Sequence, residues 1–183
     1  MEFYIDIKLH PDAEMPINRL LSAIYSKFHK ALCDLESESI GVSFPAHRVM
    51  LGNLIRIHGS SVKLAALQQL NWIGGLIGYC EVGQMQSVPE NCKYRTLGRK
   101  QPTMTQAKLN RLLKRGSITE TEAKQYKAKM YAKGLDSPYL ALQSGSNGHY
   151  HRRYIEFSVL QEKPITGQFD QFGLSKTATV PWF

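Results

Sequence analysis

The residues best suited to chemistry are one histidine and two serines. His29 lies in SAIYSKFHKAL (22–32), and Ser144 and Ser146 form the SxS turn of LQSGSNGH (142–149). An imidazole titrates near pH ~6.5 and can take up or return a proton at neutral pH, while a serine hydroxyl can hold a sugar oxygen. RNA carries its own nucleophile, the 2′-hydroxyl. Cutting it without a metal requires only that this hydroxyl be deprotonated or positioned, aligned with the scissile phosphate, and that the 5′-oxygen be helped to leave. His29 with Ser144 or Ser146 would suffice. Other chemistries lack their residues. The acids are scattered, with no carboxylate cluster for two metal ions, there is no GxxxxGK[ST] or GxSxG, and GLSK (173–176) is too short for a phosphate loop. The spacing of His10, His29 and His58 does not require a metal site either.

A helix over 16–35 must position His29. Ile17, Leu20, Leu21, Ile24, Phe28, Ala31 and Leu32 follow the i, i+3, i+4, i+7 template, and Pro16 suits the first turn. At 100° per residue His29 falls just past that stripe, beside Tyr25 and Ser22, on the border between core and solvent. Either a catalytic imidazole or an ordinary half-buried surface residue fits such a place. Nothing in the periodicity brings His29 and the serines together.

Around this helix the pattern is β-α-β-β-α-β. FYIDIKL alternates strictly, IGVSF (40–44) and NLIRIH (53–58) read as short strands, and Ser60 or Ser61 can cap a second helix. That helix, VKLAALQQLNW, repeats Val62, Ala65, Ala66, Gln69, Leu70 and Ile73 at helical spacing, and YCEVGQMQSV reads as a final strand. This order predicts an α+β fold with a ferredoxin-like domain over 1–92. The aromatic signature of the RNA-recognition motif is absent, so binding is expected to use the other half. Over 93–183 a smaller domain is expected, with a basic helix at TQAKLNRLLKR (105–115), a second helix opened by the Thr119/Glu122 capping box, and strands at YLALQ and RRYIEFSVL.

The charge is localised. Residues 1–92 balance at −2, residues 93–133 carry twelve basic and two acidic side chains, and residues 134–183 are neutral. On the basic helix Lys108, Arg111, Lys114 and Arg115 gather opposite Leu109, Leu112 and Leu113, with no acidic partner at i+4. That points to a polyanion, and the lack of a large apolar face with aromatic anchors favours nucleic acid over a membrane surface. No run of 18 apolar residues and no secretory signal is present, so a cytoplasmic location is expected. The three cysteines, Cys33, Cys80 and Cys92, have no CxxC spacing and read as reduced packing residues.

YIDIKLHPD at the start, FH at 28–29, IGVSFP at 40–45, SxS at 144–146 and GLSK with the final VPWF together resemble the CRISPR-associated repeat-processing endoribonucleases of type I-F systems. The resemblance runs from end to end. It implies a metal-independent endoribonuclease, without cofactor, that binds the CRISPR repeat hairpin and cuts the precursor transcript at the 3′ base of the stem. A 2′,3′-cyclic phosphate is left, and the enzyme stays on its guide RNA, in company with other subunits of a surveillance complex. By position it implies His29 as the catalytic histidine, Ser144 as the ribose-holding serine and Ser146 as a second serine. Arg99 and Gln101 are implied to face bases low in the stem, a pairing that suits guanine and adenine edges. Arg111, Lys114 and Arg115, with Lys108, are implied to meet phosphates. His151 takes the place of the aromatic that stacks on the stem's last base pair, with Tyr150 adjacent. Phe172 takes the place of the family's active-site tyrosine, which leaves packing or stacking for its role. A non-catalytic hairpin-binding subunit is the competing expectation.

Overall fold

Strict alternation makes the first strand. The computed structural model describes residues 1–101, 104–132, 137–143 and 148–183, with backbone alone at 131, 132, 143 and 150. In it β1 (Phe3–Leu9) buries Ile5, Ile7 and Leu9 on one face. It sits inside an antiparallel sheet of order β2-β3-β1-β4, formed with β2 (Gly41–Ser43), β3 (Leu54–Gly59) and β4 (Cys80–Val82); β5 (Gln86–Ser87) also pairs with β1. The register sets Ile5 opposite Ile57 and Ile7 opposite Ile55, which builds one apolar face. On the other face Asp6 lies opposite Arg56, and the two form a bidentate pair at 2.6 and 2.8 Å. The single strand expected over YCEVGQMQSV is instead two short ones. Between them the Gly83 N–H donates to the Asp6 carbonyl, and a Cβ at Gly83 would stand 3.3 Å from that oxygen.

Helix α1 (Ile17–Asp34) lays its stripe on this core, with Leu20, Ile24, Phe28 and Leu32 fully buried. Ser22 and Tyr25, expected at the border, are buried too. The second half of the chain covers them. Helix α2 (Ser61–Gln69), capped by the Ser60 side chain, departs from the expected stripe: Leu64 and Leu67 turn inward, while Val62 is 75 % exposed. VKLAALQQL offers two apolar faces, and the bulkier leucine pair buries more surface than the alanine-rich one. A 3₁₀ turn (Gly74–Tyr79) then leads into β4.

The second half adds β6 (Lys93–Arg95), β7 (Leu97–Lys100), α3 (Gln106–Lys114), α4 (Glu120–Ala132), β8 (Tyr139–Gln143), β9 (Tyr150–Phe157) and β10 (Val180–Trp182). The last pairs with β6, and β7-β9-β8 form a three-stranded antiparallel sheet. The architecture is α+β. β6, β7 and β10 are too short to carry a sequence signal of their own. The capping box forms, with Thr119 N–H on the Glu122 carboxylate at 2.7 Å. No helix among the described residues is long and apolar enough to cross a membrane.

The motifs at the two ends of the chain meet. Ile40, Val42 and Phe44 of IGVSFP are fully buried, and a Cβ at Gly41 would stand 2.7 Å from Val180 and 2.9 Å from Phe169. The Val42 N–H donates to the Gly173 carbonyl of GLSK at 3.0 Å. Arg56 packs on the rings of both Tyr4 and Phe183 and donates to the Phe183 carbonyl, while Arg95 lies over Phe157 and Trp182.

Candidate active site

Helix α1 presents His29 half-buried, and a turn in the C-terminal segment meets it there. Asp170 builds that turn: its carboxylate accepts from the N–H groups of Phe172 and Leu174, both at 2.9 Å, and its carbonyl accepts from Gly173. Gly173 has φ +69°, and a Cβ there would stand 3.1 Å from the Phe28 ring, so both backbone and space call for glycine. The buried Tyr25 hydroxyl donates to the Phe172 carbonyl at 2.6 Å. Burial, and after it Asp170, raise the Tyr25 pKa well above the ordinary phenol value, while Arg153 opposes them, so the hydroxyl keeps its proton.

The turn offers His29 a carbonyl and a ring. His29 Nδ1 lies 2.6 Å from the Gln171 carbonyl. A carbonyl only accepts, so Nδ1 carries the hydrogen, and in the neutral imidazole Nε2 is the basic nitrogen. The Phe172 ring is parallel to the imidazole, with centroids 3.5 Å apart and an interplanar angle of 11°. The Arg153 guanidinium carbon lies 3.4 Å from the same Phe172 centroid. Two groups that close to one ring cannot share a face, so imidazole, phenyl and guanidinium form a three-layer stack. A directly superposed aromatic pair is ordinarily disfavoured, and a cation on the far face offsets this by drawing on the phenyl ring's electron density.

Arg153 is 7 % exposed, and its Nε has no hydrogen-bond partner among the described residues. Burial pulls its pKa below the ordinary arginine value, Arg99 adds to that, and Tyr25 and Asp170 oppose it. The last member of the cluster is Cys33, one turn after His29, whose Sγ is 3.6 Å from Nδ1 and donates to the Gln171 side chain at 3.3 Å. Burial raises the Cys33 pKa, with Asp34 adding to it, so it is a thiol and not a thiolate.

Of the residues singled out in the sequence, the fold brings His29 and Phe172 into contact. Ser144 and Ser146 lie outside the described residues. Arg99 is exposed on β7 and lines a cavity of about 320 Å³ with Glu38, Asp170 and Lys176. Lys176 is held there because the Ser175 N–H donates to the Leu97 carbonyl, which lays the lysine stem over Gly98. Gln101 is exposed just beyond β7, and His151 is exposed on β9. Tyr150 pairs with Gln143 in the ladder, and only its backbone is described. Lys108, Arg111, Lys114 and Arg115 are exposed along and just after α3, a helix that Thr105 caps and that packs against α4. Among the described residues no group of three or more His, Cys, Asp or Glu could hold a metal ion.

Sequence reasoning passed over Tyr25, Gln171 and Arg153. Two signals were available. DQFG (170–173) is an Asx-type turn with glycine at its left-handed position, and the alternation of RYIEF puts Arg153 on the inward face beside Ile155.

Comparison with known proteins follows the same chain from end to end. Residues 4–183 match the family model described as CRISPR-associated protein (Cas_Csy4). A curated relative from Escherichia coli (strain UTI89 / UPEC), named CRISPR-associated endonuclease Cas6/Csy4, is 36% identical over 184 residues. One of the same name from Pseudomonas aeruginosa (strain UCBPP-PA14) is 37% identical over 187 residues. Both alignments cover the whole of each chain.

Proposed function

Since the chain belongs to the CRISPR-associated protein family Cas_Csy4, we propose that it is a metal-independent endoribonuclease of CRISPR repeat RNA. It binds the repeat hairpin, cuts the precursor at the 3′ base of the stem and remains on the mature guide RNA. The endonuclease name carried by two full-length relatives supports this reading. The observation that carries the chemistry is the hydrogen bond from His29 Nδ1 to the Gln171 carbonyl, which leaves Nε2 as the proton acceptor.

In the proposed reaction Nε2 of His29 takes the proton of the 2′-hydroxyl while Ser144, with Ser146 nearby, holds the ribose. The 2′-oxygen attacks the adjacent phosphorus, the bond to the 5′-oxygen breaks, and that oxygen takes a proton from water as it departs, the imidazolium later returning its own proton to solvent. A 2′,3′-cyclic phosphate remains. Phe172 has no hydroxyl to offer and serves to fix the imidazole plane. Arg99 and Gln101 face bases low in the stem, Lys108, Arg111, Lys114 and Arg115 meet phosphates, and His151 or Tyr150 stacks on the last base pair. The order β2-β3-β1-β4, with helices after β1 and β3, supports a ferredoxin-like domain over 1–92, with the RNA-binding domain over 93–183. The protein acts in the cytoplasm, with other subunits of a type I-F surveillance complex.

The test is single-turnover cleavage of labelled repeat RNA in excess EDTA, wild type beside His29→Ala. Cleavage by the wild type and a loss of about 10²- to 10⁴-fold in the variant are expected. Equal rates would overturn the role given to His29. Phe172 favours a second reading, a hairpin-binding subunit without activity, and the absence of cleavage by the wild type, with tight binding retained, would establish it.

A further inference from the structure

A cavity lies along helix α1, away from every role assigned so far. It is a groove of about 570 Å³ between α1 and β8, walled by Arg19, Ser22 and Ser26 on the helix and by Tyr139 and Ala141 on the strand. The buried Ser22 hydroxyl accepts from the Ala141 N–H at 3.1 Å, which seals the floor. Arg19 is exposed on the helical wall, and the exposed Arg152 holds its guanidinium 4.5 Å from the Tyr139 ring centre on the strand side. Among the described residues the lining contains a cation, small hydroxyls and an aromatic ring, and no carboxylate.

The groove leads to the imidazole. His29 follows Ser26 by three residues and Ser22 by seven, so all three share a helix face, and one turn separates groove from histidine. A cation on the helical wall, and a second beside an aromatic ring on the strand side, suit a flexible polyanion with flat bases better than a rigid duplex. We propose that the α1/β8 groove binds single-stranded RNA just downstream of the scissile phosphate, with a base against Tyr139 and phosphates near Arg19 and Arg152. This rests on the hairpin-cleaving reading above. The strand that leaves with the 5′-oxygen is the one next to His29, and the groove gives that strand a place before it departs.

The test uses repeat hairpins with a 2′-deoxynucleotide at the cut, which bind without being cleaved, carrying either one or six nucleotides on the 3′ side. Wild-type protein is expected to bind the longer RNA about 5- to 10-fold more tightly. Tyr139→Ala, and Ser26→Trp, which fills the groove from an exposed position, should each abolish that gain and leave binding of the shorter RNA unchanged. Equal affinity of the wild type for the two lengths would overturn the proposal, as would a gain that survives both substitutions or one produced by a 5′ flank instead. Failure of the wild type to bind either hairpin would overturn the hairpin-binding reading along with it.

Discussion

At the scale of the residue, the site is a histidine whose proton has an assigned place. Gln171 fixes the hydrogen on Nδ1, and Phe172 fixes the plane of the ring with Arg153 beneath it. Arg153→Met keeps the packing volume and removes the charge. It should slow single-turnover cleavage about tenfold while hairpin affinity stays within about twofold, because the residue acts through Phe172 and not on RNA. Lysine, which keeps a charge without the planar guanidinium, should restore only part of the rate. Loss of affinity with an unchanged rate would contradict this placement. His29 was legible in the sequence as a residue at a border, since helical periodicity fixes angles about one axis. Its contact with Gln171 was not, because Gln171 arrives from 142 residues away and offers a backbone carbonyl, a group every residue has.

At the scale of the element, α1 and the C-terminal turn form one unit. Gly173→Ala places a Cβ against Phe28 in a left-handed backbone, so unfolding free energy in urea should fall by about 1–3 kcal/mol, with cleavage falling as well. An unchanged midpoint would count against the packing described. Helix α3 is expected to act through charge alone. Replacing Arg111, Lys114 and Arg115 together by alanine should weaken hairpin binding and lower the slope of log affinity against log salt by about 2–3. The helices and longer strands were legible because periodicity over many residues averages out local noise. Strands of three or four residues such as β6, β7 and β10 take their state from the strands they pair with, and α2 shows that two competing apolar faces are decided by bulk.

At the scale of the whole molecule, a near-neutral first half supplies the histidine and, on the proposed reading, a strongly basic segment supplies the attraction for RNA, while buried contacts between IGVSFP, GLSK and VPWF tie the first half to the C-terminal segment. The core sets a limit at low pH. Burial first, and then Arg56 and the N-terminus, push the pKa of the fully buried His58 down to about 3. The unfolded chain binds this proton near pH 6.5 and the folded chain does not, so His58 costs nothing at pH 7. Stability is lost progressively as pH falls from about 6.5 toward 3, on the order of 2 kcal/mol by pH 5. Urea midpoints at pH 7 and 5 check this, and His58→Gln should flatten the difference.

In the proposed reaction the RNA's own 2′-hydroxyl, activated at His29, does the cutting. End-group analysis of the upstream product formed from repeat RNA in excess EDTA tests that most directly. A 2′,3′-cyclic phosphate at the 3′ base of the stem is the predicted result, and a free 3′-hydroxyl, or no cleavage until a divalent metal is added, would contradict it.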